Sequence, residues 1–281
     1  MFATLVGLTG PIAWSLIPLL TYYIKHIDPV LVMSVVFLMF FAIDLLRQII
    51  SRSVINPLKQ PLNFYVVGII GIFGFHIFYF SALRLAPIMP VFLIVNTTSI
   101  CIIIYSKILH NIEIRPNHIL AFLINFSAIC LIAVSKASEE FSMHHLIGYG
   151  MAFLAANCWA FYSVKNRDFD APISATSYVI LFSGILSLVA YEVFSDFTLI
   201  NISNYDLIFL LVLALWPVGY SLYFWVYGVR HGDIRVLAAM ALINPVLGSM
   251  WLIIAGIEEF SWIVLISLIL ILIGSFISRS K

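Results

Sequence analysis

The sequence predicts an all-α membrane protein in which ten transmembrane helices form two inverted five-helix repeats, with both termini on the cytoplasmic side. Three observations support this prediction: the composition, a regular series of long apolar segments, and an internal similarity between the two halves. Of the 281 residues, 63% are hydrophobic and 10% are charged, and the mean hydropathy is +1.11. In soluble domains about a quarter of the residues are charged. The composition therefore predicts a chain embedded in lipid, without a sizeable soluble domain.

Long apolar segments follow one another along the whole chain, separated by charges and loop prolines. Each crossing of the hydrocarbon core takes roughly 20 residues. Ten such segments, numbered spans 1 to 10, are predicted at Thr4–Ile24, Pro29–Ile50, Phe64–Leu83, Pro87–Leu109, Asn117–Ser135, His145–Val164, Ser174–Phe194, Tyr205–Tyr227, Ile234–Ala255 and Trp262–Ile277. Span 1 has no basic region before it and no small-residue cleavage site, so we expect it to be retained.

Positive charges near span ends set the orientation, because Lys and Arg favour the cytoplasmic side. Placing alternate loops on opposite sides puts 11 of the 14 basic residues on the side of both termini. They are Arg47, Arg52, Lys59, Lys107, Arg115, Lys165, Arg167, Arg230, Arg235, Arg279 and Lys281. The other side has Lys25, Arg84 and Lys136, together with the acids Asp28, Glu139, Glu140, Glu192, Asp196, Asp206, Glu258 and Glu259. An even number of spans with cytoplasmic termini preserves this separation.

The two halves of the chain are similar at an offset of 145 residues. This offset aligns Trp14 with Trp159, Gly74 with Gly219, Val91 with Val236, and Ile112-Glu113 with Ile257-Glu258. We therefore predict two repeats, residues 1–138 and 139–281, with five spans each. Because five is odd, the second repeat enters the membrane from the opposite face, which makes the repeat inverted. Inverted repeats recur in secondary transporters, where two related halves enclose a site near the bilayer midplane.

Several segments resemble the drug/metabolite transporter superfamily, in its EamA-like branch and nearest to the aromatic amino acid exporter type. They occur in order over almost the whole chain: Ala3–Leu8 with Trp14-Ser15 in span 1, Trp159–Ser163 in span 6, and Trp225–Asp233 and Pro245–Leu247 in spans 8 and 9. The resemblance implies a secondary transporter of the inner membrane that exports aromatic or other neutral amino acids by alternating access. It also implies a central cavity bounded by spans 1, 3, 4, 6, 8 and 9.

Span 4 departs from the exporter type. Where that type has an Asn-Tyr-Leu-Trp-Pro run, this chain has Asn96-Thr97-Thr98-Ser99-Ile100, and only the Asn is shared. The missing Tyr and Trp are side chains that the resemblance would place at the cavity. A transporter of another small metabolite, such as a nucleotide-derived or amine compound, therefore stays open as an alternative.

Polar and aromatic residues at membrane depth are the candidates for substrate binding, because their insertion into lipid is costly or their rings can stack on a ligand. The candidates are Trp14, His76, Tyr79, Asn96, Thr97, Ser99, Trp159, Tyr162, Tyr220, Trp225 and Asn244. Each has a purely structural alternative. The histidine can be neutral and bonded to a neighbouring helix, and hydroxyl groups can bond carbonyls of their own helix. Asn244 precedes the kink expected at Pro245. Aromatic rings can face lipid.

Other function classes lack support in the sequence. A net charge of +1 provides no basic surface for nucleic acid. There is no GxxxxGK[ST] loop for ATP, and neither HExxH nor GxSxG occurs. The three cysteines, Cys101, Cys130 and Cys158, have no metal-ligand spacing. We expect no enzyme activity, cofactor or metal, and we expect a small-molecule substrate and the bilayer as partners. A homodimer through spans 5 and 10 is possible in this arrangement. The alternative functions are a membrane scaffold and an intramembrane enzyme.

Overall fold

The computed structural model describes residues 1–136, 145–194 and 202–279, and all regular secondary structure in these ranges is helical. The predicted all-α fold class is therefore confirmed for this part of the chain. The predicted boundary between the two repeats, at residues 138 and 139, lies outside the described residues. So do four of the charges assigned to the two faces: Glu139, Glu140, Asp196 and Lys281.

Helices occupy all ten predicted spans, and several spans are built from more than one helix. The α-helices and π-helices are Phe2–Trp14 and Ile17–Tyr23 in span 1, Pro29–Ile50 in span 2, Leu62–Ile69, Ile70–Gly74 (π) and Phe75–Leu85 in span 3, Ile88–Asn96 and Thr98–His110 in span 4, Pro116–Lys136 in span 5, Leu146–Lys165 in span 6, Thr176–Phe194 in span 7, Asn204–Leu213, Ala214–Tyr220 (π) and Ser221–His231 in span 8, Ile234–Ala241 and Ile243–Ile254 in span 9, and Trp262–Arg279 in span 10.

Seven of the described helical segments are long and apolar enough to cross a membrane, and they correspond to spans 1, 2, 3, 4, 7, 8 and 9. Shorter apolar stretches, Pro116–Leu131 and Trp262–Gly274, lie in spans 5 and 10. The helix of span 6, Leu146–Lys165, has the length of a crossing but a less apolar composition, since it carries Asn157 and two glycines. The protein is thus a multi-pass membrane protein, whereas ten crossings with cytoplasmic termini stay a prediction.

Four of the helix interruptions occur at matching places in the two halves, whereas the break at Ser15-Leu16 in span 1 has no counterpart in the continuous helix of span 6. The π-helices Ile70–Gly74 and Ala214–Tyr220 lie about 145 residues apart along the chain. Single-residue breaks at Thr97 and Leu242 are also 145 residues apart. The break at Leu242 precedes Pro245, because a proline displaces the helix turn before it and has no N–H to donate. The kink expected in span 9 is therefore present.

Helix packing joins spans from different halves. Span 1 packs on span 8, span 6 on span 3, span 2 on span 7, and span 5 on span 10. The first pair approaches closely at two glycines: a Cβ on Gly7 would lie 2.8 Å from the Cα of Gly228. Small residues at such contacts let helix backbones meet within the membrane. This packing brings the tryptophans of spans 1, 6 and 8 together at the centre of the bundle.

Candidate functional site

Three tryptophans from three spans form a compact cluster. The ring centroid of Trp14 lies 5.2 Å from that of Trp159 and 5.3 Å from that of Trp225, and the last two are 6.3 Å apart. These separations are typical of favourable edge-to-face and tilted aromatic pairs. The sequence predicted each of these residues separately, and the fold brings them into one tryptophan cluster.

Phe75 connects the tryptophan cluster to candidates on span 3. Its ring centroid is 5.6 Å from Trp159, 5.0 Å from His76 and 5.8 Å from Tyr79. Tyr162 joins the same network, at 5.6 Å from Trp159. Phe75 is not among the residues predicted from the sequence, although it directly precedes the candidate His76. Six predicted candidates thus share one network of ring contacts.

Exposure separates this network into two layers. Trp14, His76, Tyr79 and Trp159 are partly exposed. The side chains of Trp225 and Tyr162 are buried, at 0% and 1% exposure. A ligand could therefore stack on the first group, whereas the second group packs behind it and holds it in place.

Hydroxyl groups fix the orientation of the indole rings. Trp14 Nε1 donates to Ser221 Oγ at 2.8 Å, and Ser221 Oγ in turn donates to the carbonyl of Pro217 at 2.6 Å. Trp225 Nε1 donates to Ser163 Oγ at 3.1 Å. With these N–H groups satisfied, the rings of Trp14 and Trp225 are held through polar contacts to span 8 and span 6.

His76 is oriented by the π-helix that precedes it. Its Nδ1 lies 2.7 Å from the carbonyl oxygen of Ile72. Because a carbonyl only accepts hydrogen bonds, Nδ1 carries the proton in a neutral ring, and Nε2 is left as an acceptor. The ring also meets Phe37 edge to face at 5.4 Å. His76 can therefore accept a hydrogen bond from a ligand next to the aromatic network.

The polar residues of span 4 surround its break and bond mainly to their own helix. Asn96 Nδ2 donates to the carbonyl of Phe92 at 2.8 Å, and Thr97 Oγ1 donates to that of Ile94 at 2.6 Å. Ser99 is buried, at 3% exposure. The first two residues thus satisfy carbonyls at the interruption while remaining partly exposed.

Tyr220 and Asn244 make no ring contact with the tryptophan cluster. Tyr220 packs against Phe40 at 5.3 Å and Tyr223 at 5.8 Å. Asn244 is partly exposed and lies just after the break at Leu242. Their part in binding stays a prediction.

The buried carboxylate of Asp44 is fully engaged with neighbours. It accepts hydrogen bonds from Arg47 Nε at 2.8 Å, Gln48 Nε2 at 2.8 Å and the Tyr223 hydroxyl at 2.7 Å. Since Asp44 is 0% exposed, these donors compensate for the loss of water around a charge. The ion pair with Arg47 lies within span 2, at i, i+3 spacing, and the hydrogen bond from Tyr223 ties span 2 to span 8.

Two surface clefts lie away from the tryptophan cluster, at the ends of the spans. One, of about 460 Å³, lies between the loops that contain Lys59 and Asp168. The other, of about 310 Å³, is lined by Arg167, Asp233 and Arg235. Within residues 1–136, 145–194 and 202–279, no group of three His, Cys, Asp or Glu side chains could hold a metal ion.

A bundle of apolar helices, several of them interrupted around a central aromatic network, is typical of multi-pass membrane transporters. The chain belongs to the EamA-like transporter family, which matches residues 1–134 and again residues 146–280.

Similarity to individual proteins extends over nearly the whole chain. It is 29% identical to a protein of Ancylobacter novellus named "Aromatic amino acid exporter YddG", over 97% of this chain and 95% of the relative. It is 25% identical to the "Uncharacterized transporter YyaM" of Bacillus subtilis, over 69% of this chain and 56% of that protein. One crystal structure superposes with a TM-score of 0.92 at 29% identity, covering 99% of this chain and 96% of the other.

Proposed function

We propose that this transporter exports aromatic or other neutral amino acids across the cytoplasmic membrane. The observation that carries the proposal is the aromatic network of Trp14, Phe75, His76 and Trp159, whose partly exposed rings provide stacking surfaces at the centre of the bundle. The relative named as an aromatic amino acid exporter supports the same substrate class.

The chemistry of this network favours a ligand whose own charges balance. Its members are Trp, Phe, Tyr and neutral His side chains, which contain no fixed charge. An aromatic amino acid would place its ring against Trp14 and Trp159 and donate a hydrogen bond from its ammonium group to His76 Nε2. Cation-π attraction between the ammonium group and an indole face adds to this binding.

We propose alternating access as the mechanism, with the helix interruptions as bending points. The paired π-helices of spans 3 and 8 and the paired breaks of spans 4 and 9 come from corresponding places in the two halves. Interrupted helices form the binding region of many secondary transporters with inverted repeats. Two inverted halves bending at these points would expose the tryptophan cluster to each side in turn.

Transport by purified protein in liposomes tests the proposal. We expect saturable exchange of labelled Phe, Tyr or Trp, reduced about tenfold or more by Trp159→Ala. Trp262→Ala is the matched control, because Trp262 is 69% exposed at the start of span 10, away from the cluster. Loss of activity in Trp262→Ala as well, or full activity in Trp159→Ala, would contradict this site.

Competition by other solutes tests the second candidate, a transporter of an amine or nucleotide-derived metabolite. Thr97 and Ser99, which stand where the exporter type has Tyr and Trp, favour this candidate. It would be supported if such compounds saturate transport while Phe, Tyr and Trp have no effect. That result would keep the mechanism and replace the substrate.

A further inference from the structure

Two arginines connect the ends of spans 6 and 8 in both directions. Arg230, near the end of span 8, donates from Nε to the backbone oxygen of Asn166 at 3.0 Å and to its side-chain oxygen at 2.8 Å. Its Nη1 also donates to the carbonyl of Ala171. In return Arg167, just after span 6, donates from Nη1 to the carbonyls of Val229 at 2.6 Å and Gly232 at 3.5 Å. We call this pair of arginines the arginine clasp.

The arginine clasp satisfies groups that a helix end leaves without partners. The last carbonyls of an α-helix have no N–H partner within the helix, and the helix dipole makes that end attractive for a cation. Asn166 and Gly232 are the C-cap residues of spans 6 and 8. Each arginine therefore caps the other helix. Because the bonds cross between helices, they exist only while the two ends remain together.

The same two helices hold the proposed binding site. Tyr162 packs on Trp159 at 5.6 Å and lies one turn before Asn166. Trp225 donates to Ser163 at 3.1 Å and lies five residues before Arg230. A separation of the span ends would therefore change the contact between Trp159 and Trp225 inside the tryptophan cluster.

The two arginines of the clasp are not repeated at the corresponding positions of the other half. Positions 145 residues before Arg167 and Arg230 are Tyr22 and Leu85. Both are exposed, at 42% and 46%, and neither carries a guanidinium that could bond several carbonyls. At that end of the bundle the neighbouring residue Arg84 instead pairs with Asp28 at 2.8 Å, so the crossed arginine contacts are not repeated at the positions that correspond to Arg167 and Arg230.

We propose that the arginine clasp is the gate that closes the basic face, the face with Arg115, Arg167 and Arg230, while the other face is accessible. This inference rests on the proposed alternating access. Opening toward the basic face breaks the bonds of both arginines, so the clasp sets the balance between the two conformations. Hydrogen bonds to charged groups are strong enough for their loss to shift that balance about tenfold or more.

Accessibility of a buried thiol tests the gate without any substrate. In full-length protein with Cys101, Cys130 and Cys158 replaced by Ser, Ser163→Cys places one thiol beneath the clasp, at a position of 0% exposure. A membrane-impermeant maleimide is applied from the basic face of reconstituted vesicles. We expect labelling about tenfold faster in Arg167→Gln and in Arg230→Lys than in the unchanged clasp. Arg115→Gln, which removes an exposed charge paired with Glu113 on the same face, should leave the rate unchanged.

A distance measurement separates gate opening from partial unfolding. Spin labels at Lys165→Cys and His231→Cys report the separation of the ends of spans 6 and 8 by electron resonance. The clasp variants should add a population at longer distance, with elution and circular dichroism unchanged. Unchanged labelling rates and unchanged distances in folded variants would overturn the gate. Failure of the unmodified chain to transport Phe, Tyr or Trp would instead overturn the proposed substrate and leave this result intact.

Discussion

At the scale of single residues, the tryptophan cluster combines two roles for one residue type. Trp225 is fully buried and bonded to Ser163, whereas Trp159 is partly exposed within the aromatic network. Trp225→Ala should lower the free energy of unfolding by about 3–5 kcal/mol, as truncation of a large buried aromatic does. Trp159→Ala should strongly reduce transport, and it should lower the free energy of unfolding by less than Trp225→Ala does. Thermal unfolding in detergent and liposome transport, measured on both variants, check this division, and equal loss of stability in both would contradict it.

Gly71 provides a second test at this scale, because it lies against Tyr162. A Cβ at Gly71 would overlap with the Cβ and Cγ of that tyrosine, which is itself buried. Gly71→Ala should therefore destabilise the protein by about 1–3 kcal/mol. Gly150→Ala is the matched control, since a Cβ there meets nothing within 4 Å and alanine favours a helix. The comparison of the two melting temperatures is the measurement, and a similar loss in both variants would argue against close packing at Gly71.

Sequence patterns identify the candidate residues better than they predict the burial and the contacts of those residues. Trp14 and Trp159 are predictable because the 145-residue offset pairs two scarce residues. The burial of Trp225 and Tyr162 cannot be predicted in this way, because hydropathy does not distinguish an aromatic ring that faces a cavity from one packed behind it. The role of Phe75 depends on its ring contact with Trp159, between spans 3 and 6, which no local pattern encodes.

At the scale of helices, Asn125 joins span 5 to span 9. It is 0% exposed, and its Nδ2 donates to the carbonyl of Ala239 at 2.8 Å. Asn125→Ala should destabilise the protein by about 1–2 kcal/mol, since it removes an interhelical hydrogen bond in an apolar setting and leaves a small void. Ser127→Ala on the same helix is the control, because Ser127 is exposed and bonds only to Leu123 of its own helix. Unfolding curves that move equally for both variants would contradict a bracing role for Asn125.

Asp168 links the ends of spans 4 and 6 through His110 and Lys165, each at 2.6 Å. Burial raises the pKa of the Asp168 carboxyl, but hydrogen bonds from Lys165 and His110 outweigh this effect, so that the pKa lies below its usual value. A lowered pKa in the folded state means that the carboxylate stabilises the fold above about pH 4, its unfolded pKa, and that the contribution is lost as the pH falls through the folded value.

Asp168→Asn should therefore lower the melting temperature at pH 7 by roughly 2 °C, a small effect because the pair is partly exposed. The difference from the unchanged protein should shrink as the pH falls below about 4. Melting curves recorded across this pH range check the prediction. A constant difference at all pH values would mean that the carboxylate charge is not responsible.

Helix limits and helix interruptions differ in how well they can be predicted. The limits of span 2, Pro29–Ile50, agree with the sequence prediction, because Asp28 caps the helix and Pro29 begins it. The bend before Pro245 is predictable for the same kind of local reason. The π-helix Ile70–Gly74 cannot be predicted from the local sequence, since it contains no proline and packs against span 6.

At the scale of the whole molecule, the distribution of charge predicts the orientation of the bundle. Both termini should lie in the cytoplasm, with the arginine clasp facing the same compartment. Fusion of a cytoplasm-dependent fluorescent reporter to each terminus in turn should give signal in both cases. A periplasm-dependent phosphatase fused at Glu258, in the loop before span 10, should be active. Activity of the phosphatase at the carboxyl terminus would instead indicate an odd number of crossings.

The composition of span 6 has a consequence for how the protein is made. Leu146–Lys165 carries Trp159 and Tyr162 but is less apolar than most of the other spans. Asn157, near the middle of the helix, makes its partition from the protein-conducting channel into lipid less favourable. Its partner, span 3, is synthesised earlier and can receive it within the membrane. We therefore expect span 6, which carries two of the candidate binding residues, to depend for its insertion during synthesis on a neighbour already in the bilayer.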